Sequence, residues 1–248
     1  MNADRALILT MARADKRDAG TIIASLAFPV ALLLVFGRLF GQEPVAGGGL
    51  ASDFVGPNTM AFGVAFIGTF ASAIRIVEWR TSGMMSLLRN APIQPWRILG
   101  AAVAAGSIIA IIQGVLLVLV GTSPFIGMTL SPWSPLTLVT LLIGCFTFFS
   151  FGMFIGILAP TVASASMAIM LVVLPMGFFS GAMTPLYMLP DWVTTVSHFI
   201  PMTYLIEAIG GPLTGVFSVG EVFLGLGVLL GTGSLAFVAA GRLLRNRT

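Results

Sequence analysis

Arg75-Ile-Val-Glu78-Trp79-Arg80-Thr-Ser-Gly83-Met84-Met85-Ser86-Leu-Leu-Arg89-Asn-Ala-Pro92-Ile-Gln-Pro95-Trp96-Arg97 is the one charged island between two long apolar runs of this chain. Arginines dominate it and Glu78 is its only acid. The flanking runs are too long and too apolar for loops, so the island joins two membrane spans. Its excess of arginine places it on the cytoplasmic side.

Composition agrees with that reading. Of 248 residues, 57% are hydrophobic and 8% charged, against about 25% charged in soluble domains. Mean hydropathy is +1.04. The fold class expected is an all-α integral membrane protein, because a helical span takes about 20 apolar residues. One polytopic domain over 1–248 is the economical reading. The net charge of +3 and pI near 9.8 belong to span ends, so nucleic acid is not among the expected partners. Cys145 is the single cysteine, which excludes a disulfide framework and a cysteine metal site.

Working outward from the island, the second span is read as Asn58 to Val77 and the third as Ile98 to Val120. Gly63 and Gly68 suit close helix packing in the second. The first span runs from about Thr21 to Phe40 with Pro29 inside it, and Gln42 to Pro57 reads as a loop. Before it, Asp4 to Asp18 carries Leu7, Ile8, Met11 and Ala14 at helical spacing. That pattern suits an amphipathic helix in the membrane interface, within residues 1–20. The core that follows is too long for a secretory signal and has no small-residue cleavage site after it. The fourth and fifth spans are read as Leu136 to Leu158 and Val162 to Phe179, joined by a tight turn at Ala159-Pro160-Thr161. The last runs from Val219 to Ala240.

Ser180 to Gly215 breaks the pattern. Pro185, Pro190, Pro201 and Pro212 interrupt it, yet it is too apolar for a solvated loop. Short re-entrant helices shielded by protein fit such a stretch. Six spans with both termini cytoplasmic leave every one of the 12 basic residues inside except Arg38, whereas the reverse orientation violates the positive-inside bias.

Chemistry for an enzyme is sparse. His198 is the only histidine, and no zinc-protease, nucleophile-elbow or phosphate-loop motif occurs. No mid-span position is charged, unlike the usual ion- or proton-coupled carrier. A transport pathway through this chain would then be apolar and aromatic, with Phe28, Phe62, Phe66, Phe70, Met176, Phe178 and Phe179 as candidates. Energy would have to enter from elsewhere, through the island.

Two stretches resemble one known family. Glu78-Trp-Arg80, Gly83, Leu88-Arg89 and Pro92 resemble the E-R-x-x-G-T-L-E-x-L-x-x-T-P segment of the type-2 ABC exporter permeases. Ser180-Gly181, Pro185, Leu189-Pro190, Trp192, Pro201-Met-Thr203-Tyr204 and Glu207-Ala208 resemble that family's outer run between the fifth and sixth spans. Ser86 stands where the family often has a second glutamate, Met84-Met85 where it has Thr-Leu, and Ile200 where it has Asn.

The resemblance implies a drug or antibiotic efflux-like permease of the plasma membrane. It would be paired with a second permease, identical or homologous, and with two copies of an ABC ATPase that bind ATP and Mg. The chain itself would hold no cofactor or metal and catalyse nothing. The resemblance also implies alternating access, with Glu78, Trp79, Arg80, Gly83 and Arg89 (segment 75–97) coupling to the ATPase. Pro185, Pro190, Trp192, Pro201, Tyr204 and Glu207 (segment 180–215) would form the outer gate. Export of a polysaccharide or lipid-linked glycan, an ion- or proton-coupled carrier, and a membrane scaffold or enzyme are the alternatives.

Overall fold

A computed structural model describes residues 19–41, 43–45, 50–83, 95–183 and 189–247. The N-terminal interfacial segment, Arg89 and Pro185 lie outside the described residues. Eight α-helices follow one another among those described: α1 Ala19–Phe40, α2 Ser52–Thr81, α3 Pro95–Gly121, α4 Thr137–Leu158, α5 Val162–Phe179, α6 Asp191–Ser197, α7 Pro201–Thr214 and α8 Val219–Arg247. A 3-10 turn, Ser134–Leu136, precedes α4. Of these helices, α2, α3, α4, α5 and α8 are long and apolar enough to cross a membrane, and α1 adds the apolar stretch Leu26–Phe40.

The bundle has two distinct ends. Arg75, Arg80, Arg97, Arg242 and Arg245 gather at the basic end, where α2 and α8 finish and α3 begins. The far end carries the connection into α2, the loop between α3 and α4, and the short helices α6 and α7. Phe125, Trp133, Trp192 and Phe199 are exposed there, as aromatic side chains are at a membrane–water interface.

α2 is the centre of the bundle and touches α1, α3, α4, α5 and α7. Its tightest partner is α4. A Cβ on Gly152 would strike the Ser72 hydroxyl and the Thr69 carbonyl, with the Thr69 carbonyl carbon at 2.8 Å. One on Gly156 would meet the Ala73 carbonyl oxygen at 2.6 Å and its Cα at 2.9 Å. Backbone therefore meets backbone, as glycines four residues apart permit. Higher up the seam, the Thr69 hydroxyl donates to the Phe148 carbonyl at 3.3 Å. A Cβ on Gly68 would stand 3.3 Å from the Phe149 ring, so the close packing read at Gly68 is present. α5 lies outside this core, with one buried stripe, Ala165, Ile169, Val173 and Gly177, at intervals of four.

α2 begins six residues earlier than its sequence suggests. Ser52 to Pro57 reads as loop because of Gly56-Pro57, yet it is the first part of the helix. Proline deprives the carbonyl four residues before it of a donor. Here that carbonyl, on Asp53, accepts the Thr214 hydroxyl of α7 at 2.9 Å. The Asp53 carboxylate accepts the Thr129 N–H at 2.7 Å and its hydroxyl at 2.9 Å. The Ser131 N–H donates to the Leu213 carbonyl at 2.9 Å. One acid at a helix start thus ties together the two outer connections. α8 likewise continues past Ala240 to Arg247, so the basic tail is helical.

α5 starts where the sequence places it. The Thr161 hydroxyl accepts the Ser164 N–H at 3.1 Å, and the Ser164 hydroxyl accepts the Thr161 N–H at 3.0 Å. This reciprocal pair satisfies two donors at the helix start.

Gly152→Ala is expected to force α2 and α4 apart and cost about 3 kcal/mol. Thermal unfolding in detergent should then shift down by roughly 6–12 °C. Gly100→Ala, where nothing stands within 4 Å of the new Cβ, should leave the midpoint unchanged or slightly raised.

Candidate functional site

At the basic end, Glu78, Trp79 and Arg80 form the last turn of α2 rather than a separate segment. The turn is closed by Ser82, whose N–H and hydroxyl both donate to the Glu78 carbonyl, at 2.9 and 2.7 Å. Gly83 follows with φ 74°, a left-handed conformation that suits glycine. Three neighbours in sequence then part company. The Arg80 guanidinium turns inward and donates from Nη1 to the carbonyls of Gly156 and Ile157, at 3.1 and 2.8 Å. These oxygens belong to the last turn of α4, the negative end of its dipole, where a cation is favoured. Trp79 packs against the apolar core. Glu78 is exposed. Beside them, Trp96 in the first turn of α3 lies against Gly241 and holds its ring 5.8 Å from Phe237 of α8.

The far end holds the gate candidates. Pro190 precedes α6 and Pro201 opens α7, each where a missing N–H costs nothing. Trp192 is exposed, with its ring 5.8 Å from Phe179. Tyr204 donates its hydroxyl to the His198 carbonyl at 2.6 Å, and Thr203 donates to the Ser197 carbonyl at 2.8 Å. Together they pin the end of α6 to the start of α7. Ile200, in the position of the family's Asn, is buried, and Thr203 and Tyr204 supply the polar bonding at that turn.

Glu207 on α7 is half-buried. Burial, and secondarily the Glu221 carboxylate, raise its pKa to about 7. Between its ordinary value near 4.5 and about 7, the folded chain holds a proton that the unfolded chain has released. Stability then falls as pH rises through that window. Melting temperature is expected to drop between pH 5 and pH 8, and Glu207→Gln should flatten the profile. A wild-type profile matching that of Glu207→Gln would contradict the assignment.

Four of the pathway candidates form a continuous ladder. Phe62, Phe66 and Phe70 recur every fourth residue along one face of α2, with centroids 5.9 and 5.7 Å apart. Phe28 of α1 joins at 6.2 Å from Phe62 and 5.8 Å from Phe66. Phe62 is fully buried, whereas Phe28 is 42% exposed. Met176 lines a cavity of about 280 Å³ with Thr69, Phe148, Phe154, Val173 and Pro201. Phe178 is exposed.

A second cavity, of about 240 Å³, lies at the far end between α1, the first turns of α2 and the Ser180–Met183 link. Phe36, Phe54, Ala182 and Phe217 give it apolar walls, and Asn58 and Ser180 give it polar points. The Asn58 amide donates to the Gly181 carbonyl at 2.9 Å. None of the seven pathway candidates lines it. Sequence reasoning passed over Asn58 and Asp53 because both lie in the early part of α2, next to Pro57. It also passed over Gly152 and Gly156, whose G-x-x-x-G spacing in an apolar helix is a usable signal.

A bundle of long apolar helices with ionisable side chains gathered at its two ends, among the described residues, is that of a multi-pass membrane protein. The chain belongs to the ABC-2 type transporter family, whose pattern matches residues 5–211. It is 30% identical over 203 residues to a protein named transport permease ycf38 of Cyanophora paradoxa, covering 78% of this chain and 68% of that one. It is 26% identical over 221 residues to the ycf38 protein of Pyropia yezoensis, covering 82% and 71%. The Inner membrane transport permease YhhJ of Escherichia coli is 26% identical over 133 residues, 53% of this chain and 35% of YhhJ. The chain is therefore a multi-pass ABC transporter membrane subunit, a transport permease rather than an enzyme. Its family implies an ABC ATPase as partner.

Arg80→Ala is expected to release the end of α4 and cost about 1.5–3 kcal/mol, the usual worth of a charge-assisted hydrogen bond. Glu78→Ala should leave the melting temperature of the detergent-solubilised chain within about 1 °C, as for a surface change.

Proposed function

We propose that this chain is the membrane half of an ATP-driven exporter that moves amphipathic, drug-like or lipid-like molecules out of the cell, with efflux of drugs and antibiotics as its role. Six spans, α1 to α5 and α8, carry the whole chain as one transmembrane domain. Both termini and the basic end face the cytoplasm, because basic residues are retained inside. Two permeases, identical or homologous, pair in the plasma membrane over two copies of a separate ATPase that binds ATP and Mg. Closure of the ATPase pair opens the permeases outward.

The observation that carries the substrate class is the pair of apolar cavities, one beside Met176 and one at the far end. Such walls accept apolar chains and rings, whereas a small ion needs polar or charged ligands in the membrane. The ladder of Phe28, Phe62, Phe66 and Phe70, with Phe178 and Phe179, continues the apolar route. α6 and α7, with Pro190, Trp192, Pro201, Tyr204 and Glu207, act as re-entrant helices that gate its exit, and Pro185 is assigned to the same gate. Trp79, Gly83 and Arg89 are assigned with Glu78 to the coupling segment. The exposed Glu78 meets the ATPase, and Arg80 carries the displacement from α2 to α4 through the Gly156 and Ile157 carbonyls.

Inside-out vesicles from cells co-expressing the chain and its ATPase should accumulate rhodamine 6G in an ATP-dependent, vanadate-sensitive way. Glu78→Ala should abolish that accumulation while the complex still hydrolyses ATP. Glycan transport without any dye movement would contradict the substrate class and favour a polysaccharide or lipid-linked glycan exporter.

A further inference from the structure

Gln113 lies on α3, wholly buried, and neither its amide nitrogen nor its amide oxygen has a hydrogen-bond partner. Buried polar groups are nearly always paired, so an amide with both ends unmet in an apolar bundle asks for a reason. Its neighbours are specific. A Cβ on Gly63 of α2 would strike the Gln113 amide nitrogen and stand 2.9 Å from Cγ of Pro29 on α1. The amide is thus set where three helices meet, in the space that Gly63 leaves on α2, beside the proline of α1.

Pro29 has no N–H, so the main-chain carbonyl of Ser25, one turn earlier, loses its ordinary helical donor. The same event occurs at Pro57 of α2, and there a side chain from another helix takes over. The Thr214 hydroxyl donates to the Asp53 carbonyl at 2.9 Å. At Pro29 the side chain set beside the break is the Gln113 amide, a donor without an acceptor.

We infer that Gln113 is a positioning residue that latches α1: unpaired in the arrangement seen here, its amide donates to the Ser25 carbonyl when α1 bends at Pro29 into its second position. The unmet amide raises the energy of the present arrangement, and the latch lowers that of the other. A bend hinged at a proline needs little else, because prolines are where helices kink. α1 packs on α2 and α3 by one side only, and Phe28, Leu34, Val35, Leu39 and Phe40 stand exposed along it. The latch deepens the alternating-access reading and supplies the second position of one span.

The full chain in lipid nanodiscs, in a Cys145→Ala background, is spin-labelled at Leu39→Cys on α1 and Thr81→Cys at the basic end of α2. Electron–electron distance measurement on the otherwise wild-type protein should resolve two populations. Gln113→Leu and Pro29→Ala should each collapse them to one, the first by removing the donor and the second by restoring the helical N–H to Ser25. The double variant should do no more than either alone, as for two halves of one contact. Gln113→Leu should also raise the melting temperature by about 3 °C, since it removes an unmet buried amide.

A single population in the wild type, two populations surviving in Gln113→Leu, additive effects in the double variant, or a lowered melting temperature would each overturn the latch. Neither cargo nor ATPase enters the measurement, so a failed dye-transport experiment and a failed latch are distinguishable.

Discussion

The backbone contact between α2 and α4 is the constraint on which the remaining structure rests. In lipid, helices gain little from apolar burial against one another, and close packing with interhelical hydrogen bonds has to hold them. Gly152 and Gly156 remove the side chains that would separate the two helices, and Thr69, Ser72 and Ala73 meet them from α2. Arg80 closes the same seam at the basic end by holding the last carbonyls of α4. At the far end Asp53 fixes the start of α2 to two connections. α2 is thereby held at both ends and in the middle. It is the element that joins the basic end to the far end through the middle of the bundle.

Prolines show how the chain handles the cost of a missing N–H inside the membrane. Pro190 and Pro201 stand before or at the start of helices, where the donor is not needed. Pro57 stands within a helix, and Thr214 replaces the lost bond and joins α7 to α2. A break in one helix thus becomes an attachment for another. Pro29, beside the unmet amide of Gln113, is the case in which that attachment belongs to a different arrangement of the same helices.

Much of this fold was legible in the sequence, for physical reasons that differ by element. The limits of α5 could be read because Pro160 ends one span and Thr161 caps the next. The 62, 66 and 70 ladder follows from helical periodicity alone. The start of α2 was misread because Gly56-Pro57 looks like a loop until Thr214, 157 positions later in the chain, is seen beside it. Glu78 and Arg80 look alike as coupling residues in the sequence. Two positions along a helix are about 200° of rotation, so once α2 runs to Thr81 they point opposite ways. The far-end cavity was not legible, because its walls come from α1, α2, the link after α5 and α7 together.

The central claim is that the end of α2 is the place where an ATPase drives this permease. A photoreactive benzoylphenylalanine at position 78, in membranes holding the chain with its ATPase, tests it most directly. The account predicts a covalent adduct between the chain and the nucleotide-binding subunit from position 78, and none when the same group replaces Trp133 at the far end. An ATP-hydrolysing complex that gives no such adduct from position 78, or gives it from position 133, would contradict the account.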